Sequence, residues 1–286
     1  MPLVNSPIAD LHMHTYHSDG QPSPQSLLDE VLKKGLEIIA ITDHDGIDGN
    51  KEAQSLIKSQ ALPLELIPAI ELTTSWDGID KSVDVLGYFL DFDNPDFQTV
   101  LKNARIDLQE RMQTVCDLLT ADGFPLTYAE AEAQNPRFVG GVAIIDALIE
   151  KGYAPDFRGA FHLFIKCARD VRGVSLKIQD AITAIHSAGG VAILAHPARI
   201  RSGKPNLNFD EVKQLVDWGL DGIEIYHYSN SPDERQHYLD IAQRLDLLIT
   251  GGSDEHNLPA GFTRLATEPV TAEMVEGLRE KSKIYR

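Results

Sequence analysis

The chain has 286 residues, 43% hydrophobic and 24% charged, proportions that exclude a collagen-like repeat, a coiled-coil rod and wholesale disorder. Against 26 Lys and Arg stand 43 Asp and Glu, a net charge of −17 with His neutral. So acidic a surface repels long polyanions and argues against coating of DNA or RNA, yet it leaves room for a small phosphorylated ligand in a local basic site.

No apolar run approaches the roughly 20 residues of a bilayer span. Residues 1–7 have neither a basic head nor an apolar stretch, so we expect a cytoplasmic protein with no membrane and no long nucleic acid as partner. Cys116 and Cys167 show no metal-type spacing and suit a reducing compartment. Short apolar runs at 8–12, 37–42, 64–70, 83–90, 191–195, 222–226 and 247–250 alternate with amphipathic stretches at 24–34, 178–188, 209–218 and 232–245. That alternation predicts an α/β fold on a parallel sheet or barrel. Gly35 after Lys33-Lys34, and Gly189-Gly190 after Ala188, predict helix stops.

From about 94 to 173 the alternation ceases. Leu101, Ala104, Leu108, Met112, Val115 and Leu119 recur at steps of three and four, which predicts one long amphipathic helix, and helical patterns follow at 142–150 and 156–166. We expect an all-helical insert over 97–173 that covers substrate, within a catalytic domain formed by 1–96 and 174–286. The end of the insert carries Arg158, Lys166, Arg169, Arg172 and Lys177 against one acid, Asp170. This patch reads either as a solvated helix face or as a phosphate-capturing surface, with Arg169 and Arg172 as candidate substrate contacts.

The chemistry-bearing residues stand at the ends of apolar runs. Asp10-Leu11-His12-Met13-His14 is followed by Ser18-Asp19-Gly20; on a strand, residues i and i+2 share a face about 7 Å apart, so both imidazoles can reach one ion. Four further runs end in the same kind of residue: 38–42 in Asp43-His44-Asp45, 66–70 in Glu71, 191–195 in His196-Pro197, and 247–252 in Ser253-Asp254-Glu255-His256. In parallel α/β folds the C-terminal strand ends share one face, where active sites are built. The repetition predicts a shared metal site.

These motifs together resemble the PHP family, named for polymerase and histidinol phosphatase domains: the opening H-x-H-T with S-D-G, the T-D-H-D, the Glu, the A-H-P and the closing S-D-x-H. The resemblance implies a distorted (β/α)7 barrel, two to three divalent ions and hydrolysis of phosphate esters, with manganese the first expectation and iron or zinc the alternatives. It also implies three subsites. His12, His14, Glu71 and Asp254 would hold one ion, Glu71 and His196 a second, and Asp19, His44 and His256 the third. Asp84 stands in Val83-Asp84-Val85-Leu86-Gly87-Tyr88 where the family often has a His, and a carboxylate there changes charge and metal preference. The insert resembles that of the branch acting on nucleotides such as 3′,5′-bisphosphates, some members of which trim short RNA from the 5′ end. That branch carries an Arg and a His where this chain reads Val139-Gly140-Gly141-Val142-Ala143.

Three dications would outweigh the carboxylates of Asp19, Glu71, Asp84 and Asp254 and favour a phosphate dianion. Water activated by the ions is then the expected nucleophile, with no Ser or Cys required. Arg199, three residues after His196, is a candidate bidentate phosphate donor. Asp43 and Asp45 either orient imidazoles or cap a helix near Asp48. His17, His162, His186 and His237 read as surface or helix-face residues, and His227 as a residue able to face the pocket. The expected function is hydrolysis of a phosphate monoester of a small phosphorylated metabolite, a nucleotide above all. The alternatives are a 5′→3′ exonuclease on short oligoribonucleotides, amidohydrolase-type C–N hydrolysis (for which no metal-bridging Lys is found), and a non-enzymatic metal-binding regulatory domain.

Overall fold

The computed structural model describes residues 8–79, 81–200, 206–257 and 263–286. Among these residues the strands form two sheets. β1 (Ala9–Asp10), β2 (Ile38–Ala40) and β3 (Glu65–Ile67) lie side by side and parallel. β4 (Ala69–Thr74), β5 (Val83–Tyr88), β6 (Val191–Leu194), β7 (Gly222–Tyr226) and β8 (Leu248–Gly251) follow in chain order across the second sheet. Two isolated parallel bridges, Met13 with Glu255 and His44 with Glu71, join one sheet to the other.

Two features differ from the sequence expectation. β5 is antiparallel to both β4 and β6, whereas β6, β7 and β8 are parallel. Residues 75–82 link β4 to β5 too briefly for the crossover of about a dozen residues that a parallel pair needs. The run 64–70 is also not one strand, because Pro68, which lacks an N–H, separates β3 from β4. Glu71 therefore lies inside β4, opposite Leu86, instead of past a strand end.

α1 (Pro24–Lys34) starts where Ser23 Oγ accepts from Ser26 N at 3.1 Å and Pro24 sets the first turn, and it stops at Gly35 with φ 75°. α2 (Asp48–Gln60) begins at Ile47 without a side-chain cap, so neither Asp43 nor Asp45 caps it. After β5 come α3 (Pro95–Ala121), α4 (Tyr128–Gln134), α5 (Gly141–Glu150) and α6 (Phe157–Ala168). They bury an apolar cluster of their own, with Met112, Val115 and Leu119 packed in one cluster with Ile144, Leu148 and Ala160. α4, at 7 residues, is too short for periodicity to reveal. Its signal is the reciprocal pairing of Thr127 and Glu130 across its first turn.

α7 (Ile178–Ser187), α8 (Phe209–Asp217), α9 (Pro232–Leu245) and α10 (Ala272–Ser282) complete the chain. Leu11, Leu86, Tyr88 and Ile193 share one buried cluster, and Tyr88 Oη donates to the Leu11 carbonyl at 2.9 Å. No helix among the described residues is long and apolar enough to cross a membrane.

Candidate metal centre

The backbone brings the ligand-type residues to one rim. Just past β8, Gly252 passes so close to His12 that a Cβ there would stand 2.3 Å from the His12 Cβ, so only glycine fits. Asp254 N then donates to His12 O at 2.8 Å and His14 N to Glu255 O at 2.9 Å, which fixes His12, His14 and Asp254 together. Asp45, His196 and Asp254 hold φ of 50°, 24° and 51°, left-handed values that non-glycine residues avoid. Such strain costs about 1–3 kcal/mol per residue and persists only where neighbours impose it. At His196, which also precedes Pro197, the backbone N–H is held by Glu224 at 2.9 Å.

His12 Nε2 lies 3.1 Å from His14 Nε2, 3.1 Å from Glu71 Oε2 and 3.5 Å from Asp254 Oδ1. His14 Nε2 is 3.2 Å from Glu71 Oε2 and 3.3 Å from Asp254 Oδ1. Adjacent donors bound to one ion at about 2.0–2.2 Å stand roughly 3–3.5 Å apart, so this group has the dimensions of a ligand set. His14, Asp19, His44 and His256 form a second group whose donor atoms lie within 4.8 Å of one another, and His44, Glu71 and Asp84 form a third. His196 Nε2 is 2.9 Å from Glu71 and 3.9 Å from Asp84. All nine expected ligands thus converge, but the grouping is not that of three separate subsites. His14 reaches into two groups, and His44 as well as His196 approaches the Glu71–Asp84 pair.

Electrostatics mark the cluster as a place that requires positive charge. Burial works against protonating His12, yet the charges of Glu224, Glu71 and Asp254 hold its pKa well above the usual value. For His14 burial is likewise outweighed, by hydrogen bonds to Asp254 and Glu71, and the pKa is pushed up to about 10. Burial would raise the carboxyls of Glu71 and Asp254, but the surrounding imidazoles hold both well below the carboxylate range. Burial, reinforced by the Glu71 charge, pushes Asp84 up. Its Oδ1 is buried without a hydrogen-bond partner, a cost that a bound cation would remove. The His/carboxylate donor set suits a divalent ion.

Two buried residues outside the nine expected ligands complete the site: Glu224, which the strand-end pattern did not single out, and His227, expected as a residue able to face the pocket. Glu224, inside β7, accepts from His12 Nδ1 at 2.9 Å, so His12 presents its Nε2 lone pair to the cluster. A carboxylate within the apolar run Gly222-Ile223-Glu224-Ile225 was the available signal, since such a group is buried only beside a cation or donors. His227 is fully buried, with Nε2 3.3 Å from Asp254 Oδ2. Asp43 accepts from Thr15 N, Thr15 Oγ1 and Ser18 Oγ, and so holds the loop that carries Asp19. Asp45 Oδ1 accepts from Thr73 N.

The basic residues divide. A cleft of about 800 Å³ opens over the cluster, walled on one side by Phe161, Ile165 and Arg169 of the insert and on the other by Arg199. Arg199 Nη1 donates to Asp254 Oδ2 at 2.7 Å, so part of this guanidinium, expected on phosphate, holds a ligand-type carboxylate. Arg172 does not line the cleft. Its guanidinium is committed to Asp107 and Glu110 of α3, an outcome contrary to the expected substrate contact. Lys166 pairs with Asp122 and Lys177 with Asp77. His17, His186 and His237 bond Glu52, Asp221 and the Leu207 carbonyl, and His162 is exposed on α6.

An α/β fold whose rim gathers imidazoles and carboxylates at ligand spacing defines a candidate centre for divalent ions. The sequence profile of the PHP domain matches residues 10–172, and the chain belongs to that family. A Haemophilus influenzae protein named 5′-3′ exoribonuclease is 30% identical, over 90% of this chain and 92% of its own length. A Chromobacterium violaceum 3′,5′-nucleoside bisphosphate phosphatase is 27% identical, over 86% of each. A Bifidobacterium adolescentis structure, provisionally described as a metal-dependent phosphoesterase, superposes with a TM-score of 0.83 at 29% identity, over 94% of each chain.

Proposed function

We propose that this enzyme hydrolyses phosphate esters of nucleotides, removing the phosphate monoester of a compound such as a 3′,5′-bisphosphate. The observation that carries the reading is the convergence of nine ligand-type residues, seven of which line a cleft whose walls present Arg169 and Arg199, with His12 and His14 buried beneath. In this reading the strands make a distorted (β/α)7 barrel in which β3 and β4 form one bent stave, closed by the Met13–Glu255 and His44–Glu71 bridges. Residues 97–173 are the helical insert that covers substrate.

Two to three divalent ions, manganese first and iron or zinc otherwise, would be held by His12, His14, Asp19, His44, Glu71, Asp84, His196, Asp254 and His256. When bound, they supply Lewis-acid polarisation of the phosphoryl group and a water of lowered pKa. The chain's own part is to orient and exclude. Glu224 fixes the ring and tautomer of His12. Arg199 and His227 occupy Asp254 Oδ2 and leave Oδ1 turned to the imidazoles. Outer hydrogen bonds of this kind keep a ligand set from collapsing on itself. Arg169, free of the α3 carboxylates that hold Arg172, remains to meet a second phosphate.

A second reading, stepwise 5′→3′ cleavage of short oligoribonucleotides, draws support from the cleft itself, since about 800 Å³ extending to Phe161 exceeds what one phosphoryl group needs. Product analysis separates the two. Protein loaded with manganese is incubated with adenosine 3′,5′-bisphosphate and with a 5′-phosphorylated triribonucleotide. Inorganic phosphate from the first supports the monoesterase reading, and 5′-mononucleotides from the second support the exonuclease. No product from either overturns both.

A further inference from the structure

Two exposed rings on α6 lie in line with the cleft. Phe161 lines it together with Ile165, Ala168 and Arg169. Phe161, Ile165 and Ala168 recur at steps of four and three, so one face of α6 forms the wall, and Arg169 follows at its C-terminal end. Phe157 stands one turn earlier on the same face. Its ring is near-parallel to that of Phe161, at 13° and 6.3 Å between centroids.

Phe157 and Phe161 are each 42% exposed and Ile106 of α3 is 44%, whereas Met112 and Leu119 of α3 and Leu148 of α5 are packed into the helices' own core. Exposed aromatic faces cost solvation without stabilising the fold, and contiguous ones mark a contact surface. Here the surface continues a cleft that holds the ligand cluster at one end and Arg169 and Arg199 beside it, in a chain of net charge −17. An occupant that is anionic at one end and flat along its length satisfies both features.

We propose that Phe161 and Phe157 form a two-step stacking platform for the bases of a short single-stranded oligonucleotide whose terminal phosphate sits at the ligand cluster. Phe161 takes the base nearer the cluster, and Phe157 takes the next one out. Stacking on a ring is indifferent to base identity, so the platform reads length and not sequence. The proposal rests on reading the cleft as a nucleotide phosphoesterase site, and it deepens that reading by naming the residues that reward a second base.

The test pairs binding with turnover. Binding of a 3′-labelled, 5′-phosphorylated triribonucleotide is followed by fluorescence anisotropy for the native chain and for Phe157→Ala, Phe161→Ala and the ring-preserving Phe157→Tyr and Phe161→Tyr. KM and kcat are measured on the trinucleotide, a mononucleotide and the ringless ester glycerol phosphate. Loss of one stacked base lowers affinity by about five- to a hundredfold. Phe161→Ala should raise KM on both nucleotide substrates, Phe157→Ala on the trinucleotide alone, with kcat nearly unchanged, glycerol phosphate unaffected and the Tyr variants near native. Equal losses on glycerol phosphate, unaltered trinucleotide binding in both Ala variants, or a shift in oligomeric state caused by Phe157→Ala would overturn the platform; the last would assign the rings to contact between copies. Absence of turnover in the native chain would overturn the phosphoesterase reading instead, and the anisotropy series would still decide the platform.

Discussion

At the scale of single residues, the ligand-type groups are held by partners one bond further out, and those partners carry separate consequences. Glu224→Gln keeps the size of the side chain but removes the charge that fixes His12 Nδ1–H. Metal affinity should fall about ten- to a hundredfold with the fold intact, as seen when outer partners of metal ligands are lost. Metal titration followed by a thermal melt checks both halves, and unchanged affinity would remove Glu224 from the account. Asp84→Ala should lower bound metal by about one ion per chain, and Asp84→His should preserve it. Metal analysis after dialysis reads this directly, and equal content in Asp84→Ala would show that Asp84 binds no ion.

Proton competition follows from the same residues. With His14 pushed up to about 10 and His12 raised well above its usual value by the surrounding carboxylates, the empty cluster favours protons on both imidazoles. An incoming ion must displace them. Apparent metal affinity should therefore rise with pH through neutrality toward about pH 10, the value to which His14 is pushed, with protons released on binding. Calorimetry in two buffers of different ionisation enthalpy measures the released protons, and a pH-independent affinity would contradict the assignment.

At the scale of elements, the end of α6 is tied to α3 by the residue that the sequence offered as a substrate contact. Arg172, just past α6, reaches back to Asp107 and Glu110 of α3. Arg172→Ala should cost about 1 kcal/mol of stability, because Asp107 keeps Arg111 and Ser175 as donors. It should leave KM for phosphorylated nucleotides near native, whereas Arg169→Ala should raise it. A melting curve beside steady-state kinetics decides this, and a selective rise in KM for Arg172→Ala would restore Arg172 to the substrate.

The contrast shows what the sequence made legible. The recurrence of His and carboxylates after apolar runs exposed the ligand set, because strand-end polarity is a local pattern. Whether an Arg faces a cleft or a carboxylate 65 residues earlier is a matter of tertiary contact, and a basic patch reads the same in both cases. Apolar runs carry no sign of strand direction, so β5 read as parallel, although the short 75–82 link and Pro68 were the local signals for the antiparallel pair and for the break between β3 and β4. Glu224 escaped because it lies within a strand, away from the ends where the pattern was sought.

At the scale of the molecule, charge and architecture act together. A net charge of −17 keeps long polyanions away, while the cleft concentrates Arg169 and Arg199 beside the ligand cluster. The helices α3 to α6 bury a core of their own and supply one wall of that cleft. The proposed division of labour is physical: the strand rim would hold the ions, and α3 to α6 would hold what the phosphate is attached to. The measurement that tests this most directly is product formation from a 5′-phosphorylated triribonucleotide and adenosine 3′,5′-bisphosphate, by protein stripped with a chelator and then titrated with manganese, with bound metal quantified at each step. The account predicts no turnover in the stripped protein and activity that returns in proportion to metal bound; full turnover by metal-free protein, or none at full loading, would contradict it.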